Sequence, residues 1–224
     1  MPHAPQPLLL LTRPAPAARR FVAALARPGL PVLISPVLRI QPVAHDTARL
    51  AGARGLVLTS VHALEAAGPG RGRPAICVGP ATASAARAAG FDVTEGPGDA
   101  ARMLPLLAGL GAGWMHPHGR HIAQILPVPG MVVYDQLPEV LTDAARAALG
   151  GRAPVILPLF SPRSAKLLGQ QAGQAVAPLW LAPISAAAAA AWTGPAARVA
   201  VAPTPDAAGM RAAIETLLGS EQTP

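Results

Sequence analysis

The stretch GLVLTSVHALEAA, residues 55–67, decides the fold, because its apolar run ends in a hydroxyl pair and a helical pattern follows at once. A second apolar run, AICVGPATASAARAAG (75–90), ends at a proline with Thr82 two residues later. The same features return about a hundred residues on, in APVILPLFSPRSAKLL (153–168) and PLWLAPISAAAAAAW (178–192). Repeated alternation of strand and helix is typical of parallel sheets. The chain is therefore predicted to be an α/β protein with two similar parallel-sheet domains that face a common ligand.

Length and composition restrict the class of protein further. The 224 residues fit one large or two small domains. Hydrophobic residues make up 51% of the chain, yet no apolar run reaches the roughly 18 residues that a membrane span needs. LLLLT (8–12) is predicted to be a buried strand and not part of a signal peptide. The single cysteine, Cys77, cannot form an internal disulfide, which favours a reducing cytoplasm.

The charge balance indicates an anionic partner. The formal net charge is +7, and Lys166 is the only lysine among 18 basic residues. Arginine in place of lysine is also what a genomic codon bias would produce. Nucleic-acid binding usually combines basic clusters with aromatic residues, whereas aromatic residues are 3% here and the arginines are scattered. A small polyanion is therefore the predicted ligand, with no nucleic acid and no membrane partner.

Two segments bracketed by prolines predict the domain organisation. PVLRIQPV (36–43) and MVVYDQLP (131–138) have the pattern of extended connectors. The chain would enter the second domain once and return once. Domain one is then discontinuous, built from 1–35 and 139–224, and 44–130 forms the inserted domain two. We expect the connectors to pair as a two-stranded linker that acts as a hinge, with a ligand cleft between the domains.

Three shorter elements are predicted from local pattern. HIAQILP (121–127) is expected to form a brief helix, and RVAVAP (198–203) the final strand. The last helix lies in TPDAAGMRAAIETLL (204–218), where Thr204 is a plausible cap.

Hydroxyl and arginine side chains follow the predicted strands at equivalent junctions. In a parallel sheet, ligands bind at the carboxyl ends of strands, where helix N-termini present free N–H groups. Each junction would form a cradle of carboxylate size, although serine and threonine are also the commonest helix caps. The junction residues are Thr12 with Arg13, Thr59 with Ser60, Thr82, Ser161 with Arg163, Ser185, and Thr204.

Other candidate sites are weaker. Tyr134, the only tyrosine, could donate a proton to a leaving oxygen or pack in the connector. The run of three histidines at 116–121 could bind zinc, but it contains no Cys, Asp or Glu, so a solvated or anion-facing loop is the preferred interpretation. The glycine-rich GPGRGRP (68–74) lacks the Lys-Ser/Thr pair of a phosphate loop. No cofactor and no metal are predicted.

Six motifs in order resemble uroporphyrinogen-III synthase. They span nearly the whole chain: LLLTRP (9–14), LTSVHALEA (58–66), CVGPATA (77–83), HGR (118–120), VVY (132–134) and FSPRSA (160–165). The resemblance implies two α/β domains on a two-stranded linker. It also implies a cofactor-free cyclisation, in the interdomain cleft, of hydroxymethylbilane, a linear tetrapyrrole with eight carboxylates. The product is uroporphyrinogen III, formed through a spiro intermediate with inversion of ring D and loss of water.

The resemblance also implies roles for individual residues. Tyr134 would assist departure of the hydroxyl. The substrate-binding residues would be Thr12, Arg13, Thr59, Ser60, Thr82, Gly119, Arg120, Ser161 and Ser185. A monomer is expected, with transient contact with the enzyme that makes the substrate.

Three residues depart from the pattern of this family. His62 replaces a common asparagine, Asp135 replaces a frequent basic residue, and Ala182 replaces a glycine. A non-catalytic two-lobed binding protein for a small polyanion is the alternative function.

Overall fold

Two separate sheets organise the chain, one in each of two units. The computed structural model describes residues 5–122 and 124–219. The first unit contains residues 5–39 and 138–219, and the second contains residues 40–137. The predicted class, parallel-sheet α/β in two parts, is confirmed. No helix among the described residues has the length and apolar character that crossing a membrane requires.

The elements alternate between strand and helix along most of the chain. The strands are β1 (Leu8–Leu11), β2 (Val32–Ile34), β3 (Leu38–Pro42), β4 (Gly55–Leu58), β5 (Pro74–Cys77), β6 (Asp92–Glu95), β7 (Trp114–Gly119), β8 (Gly130–Pro138), β9 (Val155–Leu159), β10 (Leu179–Pro183) and β11 (Arg198–Val199). The helices are α1 (Ala15–Leu25), α2 (Thr47–Ala51), α3 (Leu64–Ala67), α4 (Pro80–Ala88), α5 (Leu104–Leu107), α6 (Asp143–Leu149), α7 (Pro162–Ala172), α8 (Ala186–Ala190) and α9 (Ala207–Gly219). A 3₁₀ turn, Val61–Ala63, leads into α3.

The sheet of the first unit is buried on both faces. Its strand order is β11-β10-β9-β1-β2, with parallel pairing. Leu10 and Leu157 point to one face, where α6 and α7 cover them. Leu9 and Ile156 point to the other face, against α1 and α9. Successive strand residues alternate between faces, so a strand covered on both sides has a continuous apolar sequence.

The sheet of the second unit has the order β3-β8-β7-β4-β5-β6. The pairs from β8 to β6 are parallel. Leu56 and Leu58 pack on one face with residues of α3 and α4, whereas Val57 packs on the other with Met103 and α5. Parallel pairing places the ends of β7, β4 and β5 at one edge of this sheet. The loops that follow these strands are therefore neighbours.

Both predicted connectors contain strands. β3 lies within 36–43, and β8 contains all of 131–138; the two strands are neighbours in the six-stranded sheet. Val133 and Tyr134 of β8 are buried in the core of the second unit. The hinge role and the predicted domain bounds stay predictions.

One sequence prediction of regular structure is wrong, and another is correct only in part. The described residues of 121–127 form no helix. Leu126 instead enters the core from irregular chain, just before the prolines at 127 and 129 that oppose a helix. The last strand is also shorter than predicted, since β11 contains only Arg198 and Val199.

Two predicted roles of side chains are also wrong. Thr204 does not cap α9, because Asp206 Oδ1 accepts the Gly209 N–H at 2.8 Å and Thr204 Oγ1 donates to the same oxygen at 3.1 Å. A carboxylate is the stronger acceptor. His116 and His118 lie in strand β7, not in a solvated loop, and His116 is 2% exposed.

Candidate active site

Strand order in the second unit brings several predicted site residues to one edge of the sheet. Thr59 directly follows β4, and Gly119 is the last residue of β7. Tyr134 pairs with Gly119 from β8. Because β8, β7 and β4 are consecutive in the sheet, these three residues share one region. They come from distant parts of the chain, as the residues of a binding site commonly do.

Tyr134 is held by a close contact with Gly119. The tyrosine is 5% exposed. A Cβ atom at position 119 would lie 2.5 Å from Tyr134 Cε2 and 3.0 Å from its Oη. The backbone N–H of Arg120 also donates to the Tyr134 carbonyl at 3.0 Å. Only glycine at 119 permits this position of the phenol ring.

A cavity of about 260 Å³ lies beside Tyr134, which is one of the residues that line it. The His62 ring meets the tyrosine ring edge-on, with 5.8 Å between centroids and 66° between planes. The lining combines apolar residues with residues that carry polar groups, as in many small-molecule sites. The lining residues are Ile40, Pro42, His45, Thr47, His62, Glu65, Ala66, Val133 and Tyr134.

Arg120 pairs with Asp135, one of the residues that depart from the family pattern. Arg120 Nε donates to Asp135 Oδ2 at 2.8 Å, and His121 Nε2 lies 3.8 Å from the other carboxylate oxygen. The hydrogen bond from Arg120 is the largest cause of an Asp135 pKa below its ordinary value. The negative charge of Asp135, next to Tyr134 in sequence, is therefore paired. In return, Asp135 uses part of the hydrogen-bonding capacity of the Arg120 guanidinium.

Thr59 is hydrogen-bonded to a buried histidine that the sequence did not single out for this role. Thr59 Oγ1 and His116 Nε2 are 2.9 Å apart. Burial, with a smaller contribution from His118, lowers the pKa of His116 to about 4. The imidazole is therefore neutral near pH 7. His118 lies with its ring centroid 4.8 Å away, and its Nδ1 bonds the Gly119 carbonyl at 2.8 Å.

The three predicted serines cap helices, as the alternative interpretation of the junctions expected. Ser60 Oγ accepts from the His62 N–H at 3.2 Å. Ser161 and Ser185 accept in the same way from residues three positions later, at 3.1 and 3.3 Å. An accepting hydroxyl keeps its own hydrogen, which can still donate to a carboxylate. In Ser161 that hydroxyl also lies 2.9 Å from Ser164 Oγ.

Thr82 is buried in the first turn of α4. Gly79 precedes that helix, so no side chain caps its first N–H groups. Such uncapped N–H groups favour an anion.

In the first unit, Thr12 is buried at the end of β1, and Arg13 follows it. The Arg13 guanidinium lies 4.2 Å from the centroid of Phe160, the residue after β9. Burial, and secondarily the charge of Arg20, lowers the pKa of Arg13 from its ordinary value. Arg163 lies in the first turn of α7. This junction therefore places a positive charge against an aromatic face.

The described part of the chain contains no group of side chains suited to bind a metal ion. Within residues 5–122 and 124–219, no three His, Cys, Asp or Glu side chains are grouped as metal ligands would be. The histidines of β7 contact threonine, backbone and each other.

A comparison with protein families identifies the chain. The family model described as uroporphyrinogen-III synthase HemD matches residues 19–212. The chain belongs to the uroporphyrinogen-III synthase family. The family predicted from the sequence is thereby confirmed. A search of curated proteins by sequence found no match.

Solved uroporphyrinogen-III synthases share the fold at low sequence identity. The enzyme from Helicobacter pylori 26695 is 16% identical, with a TM-score of 0.60, covering 96% of this chain and 99% of that one. A mutant uroporphyrinogen III synthase from the extremely thermophilic bacterium Thermus thermophilus is 15% identical, with a TM-score of 0.52 and the same coverage. The likeness extends over nearly the full length of both chains.

Three features of the candidate site in this member of the uroporphyrinogen-III synthase family were not predicted from the sequence. They are the His116 partner of Thr59, the pairing of Arg120 with Asp135, and the cavity beside Tyr134. The run at 116–121 was the available signal for the first, because a histidine in an otherwise apolar strand needs a partner.

Proposed function

We propose that this chain closes hydroxymethylbilane into uroporphyrinogen III, with inversion of ring D and loss of water. One observation carries the proposal beyond family membership. Tyr134 is fixed by Gly119 at the edge of a parallel sheet where ligands bind, and it lines a cavity. Departure of the substrate hydroxyl requires a proton donor such as this phenol, whereas binding alone does not. The alternative of a non-catalytic polyanion-binding protein is not favoured.

In the proposed mechanism, Tyr134 assists the leaving group. Its O–H donates a proton to the hydroxyl of the hydroxymethyl carbon while the C–O bond breaks, so water leaves and the electron pair of the adjacent pyrrole nitrogen stabilises that carbon. Ring D attacks the carbon through its substituted α-carbon, which still carries the bridge to ring C, and the new bond gives the spiro intermediate. The older bond between ring D and the bridge then breaks, its electron pair returns to ring D, and the pyrrole of ring C stabilises the bridge carbon. Ring D attacks the bridge carbon through its other α-carbon, whose hydrogen leaves as a proton and restores the Tyr134 hydroxyl. One water is lost in total and no net oxidation state changes, so the reaction needs no redox cofactor.

Substrate carboxylates are the proposed ligands of the remaining site residues. Hydroxyls, free helix N–H groups and guanidinium groups are suitable donors for them. Holding the chain of four rings in one conformation selects which carbon attacks, and this orientation supplies much of the rate. The proposed binding residues are Thr12, Arg13, Thr59, Ser60, Thr82, Gly119, Arg120, Ser161 and Ser185.

The deciding experiment supplies hydroxymethylbilane to the purified chain and separates the product isomers. Without an enzyme, the bilane closes to isomer I. We expect isomer III to dominate with the wild-type protein and to increase in proportion to its concentration. Isomer I alone, at the rate of the protein-free reaction, would leave the binding-protein alternative.

Removing the Asp135 carboxylate should strengthen substrate binding. In Asp135→Asn, the Arg120 guanidinium loses its ionic partner and gains freedom to meet a substrate carboxylate. We expect KM to fall about two- to fivefold at low salt, an effect that salt weakens. Asp99→Asn is the matched control, since Asp99 pairs with Arg102 in the same unit. An equal fall in KM for the control would show a general charge effect and not a role of Arg120.

We propose further that the chain acts as a monomer in the cytoplasm, with transient contact with the enzyme that makes its substrate. A substrate that closes spontaneously to the wrong isomer favours such direct transfer.

The single cysteine is consistent with a monomer. Cys77 is buried and burial raises its pKa to about 11, which makes it an unreactive thiol. Sedimentation of the chain alone should give a mass near 22.6 kDa.

A further inference from the structure

The buried His116 has one hydrogen-bonding partner of functional interest, Thr59. It lies on β7 and is 2% exposed, while Thr59 follows the neighbouring strand β4 and is half-buried. The 2.9 Å bond joins residues 57 positions apart in sequence. A buried polar group this close to a site hydroxyl fixes the direction of that hydroxyl.

The direction of the hydrogen bond decides what Thr59 can offer to a ligand. A hydroxyl has one hydrogen and two lone pairs, and a neutral imidazole has one N–H. If Thr59 donates to Nε2, its hydrogen is used and only lone pairs remain, which repel a carboxylate. If Nε2–H donates to Thr59, the hydroxyl hydrogen remains for an acceptor. Only the second arrangement suits an anionic substrate.

We propose that His116 is a positioning residue, which donates its Nε2–H to Thr59 Oγ1 and so directs the Thr59 hydrogen to a carboxylate of the substrate. This inference rests on the proposed function, because the carboxylate belongs to hydroxymethylbilane. The pKa of about 4 keeps the imidazole neutral near pH 7, so the ring carries a single N–H. The His118 ring lies beside the His116 ring, with 4.8 Å between centroids and a tilt of 39°.

The tautomer is tested directly by ¹⁵N NMR of protein labelled in its six histidine side chains. The His116 signals are assigned as those absent from His116→Gln. We expect the shift of Nε2 to be that of a nitrogen carrying hydrogen, and Nδ1 that of a bare nitrogen. The reverse pattern would overturn the inference, whatever reaction the protein catalyses.

The functional part is tested by a double-mutant cycle with Thr59→Val. We expect His116→Leu to lower kcat/KM for isomer III by about three- to tenfold, as expected for one lost hydrogen bond. His116→Gln, which can present an amide N–H to Thr59, should recover most of the loss. In the Thr59→Val background, His116→Leu should cause no further loss, because its action passes through Thr59.

Met115→Leu is the matched control, since Met115 is the buried neighbour of His116 on the same strand and packs in the hydrophobic core; its kcat/KM should stay within about twofold of wild type. Equal losses from His116→Leu in the two backgrounds would overturn the inference and indicate a packing role. A glutamine variant as poor as the leucine variant would do the same. If wild-type protein makes no isomer III, the proposed function fails. The NMR result still decides whether His116 or Thr59 donates the hydrogen bond.

Discussion

Tyr134→Phe is expected to lower kcat for uroporphyrinogen III formation by about a hundredfold or more, with KM changed by less than about threefold. In the proposed mechanism the phenol proton assists departure of the hydroxyl only in the transition state, and lost general-acid assistance typically has this size. The ring remains, so the packing against Gly119 and His62 is kept. The measurement is single-turnover and steady-state formation of isomer III, corrected for spontaneous isomer I.

The control for this prediction is His62→Phe, which retains an aromatic partner beside Tyr134 and leaves the phenol in place. We expect its kcat to stay within a few-fold of wild type. Both variants should unfold at nearly the wild-type temperature. An unchanged rate in Tyr134→Phe would remove the assigned role, and an equal loss in both variants would assign the effect to the ring contact.

The fold was predictable from local patterns because each strand of a doubly covered parallel sheet has its own apolar run. GLVLTS (55–60) and APVILPLF (153–160) contain β4 and β9, and the hydroxyls after them begin the next helical turns. The prediction failed where local pattern competes with burial. Leu126 lies in a run with helical character, yet the core of the second unit takes it from irregular chain before Pro127.

For the candidate site, the sequence predicted where hydroxyl side chains lie but not what they contact. Thr59 and Ser60 were predicted to follow a parallel strand, and they directly follow β4 in the structure. Their role toward a ligand stays a prediction. Their partners were not found, since nothing in the local sequence links Thr59 to His116 across two strands. Asp135 shows the same limit: its departure from the family pattern was visible in the sequence, but its pairing with Arg120, the residue after β7, was not.

The reason for glycine at position 119 is also visible only from its contact with the neighbouring strand, β8. The HGR motif marked it as a member of a substrate-binding set, which gave no reason for glycine over alanine. In the structure, the phenol ring of Tyr134 fills the space that a side chain would take. We therefore propose that Gly119 affects the reaction by positioning Tyr134.

Gly119→Ala should lower kcat at least tenfold and reduce the free energy of unfolding by about 1–3 kcal/mol, as overpacking in a core does. The new Cβ would lie 2.5 Å from Tyr134 Cε2 and 2.7 Å from Cζ, so the ring must move and carry its hydroxyl out of position. Isomer III formation and chemical denaturation measure the two effects. In the Tyr134→Phe background, Gly119→Ala should lower kcat little further, because the hydroxyl is already gone.

Two comparisons separate this explanation from a general intolerance of alanine. Gly111→Ala is the control, since no atom lies within 4 Å of its new Cβ, and it should leave both kcat and stability near wild type. Tyr134→Ala should remove the clash, so adding Gly119→Ala to it should lower the unfolding free energy far less than in the wild-type chain. A destabilisation that persists without the ring would show that the backbone of β7, and not Tyr134, requires glycine at 119.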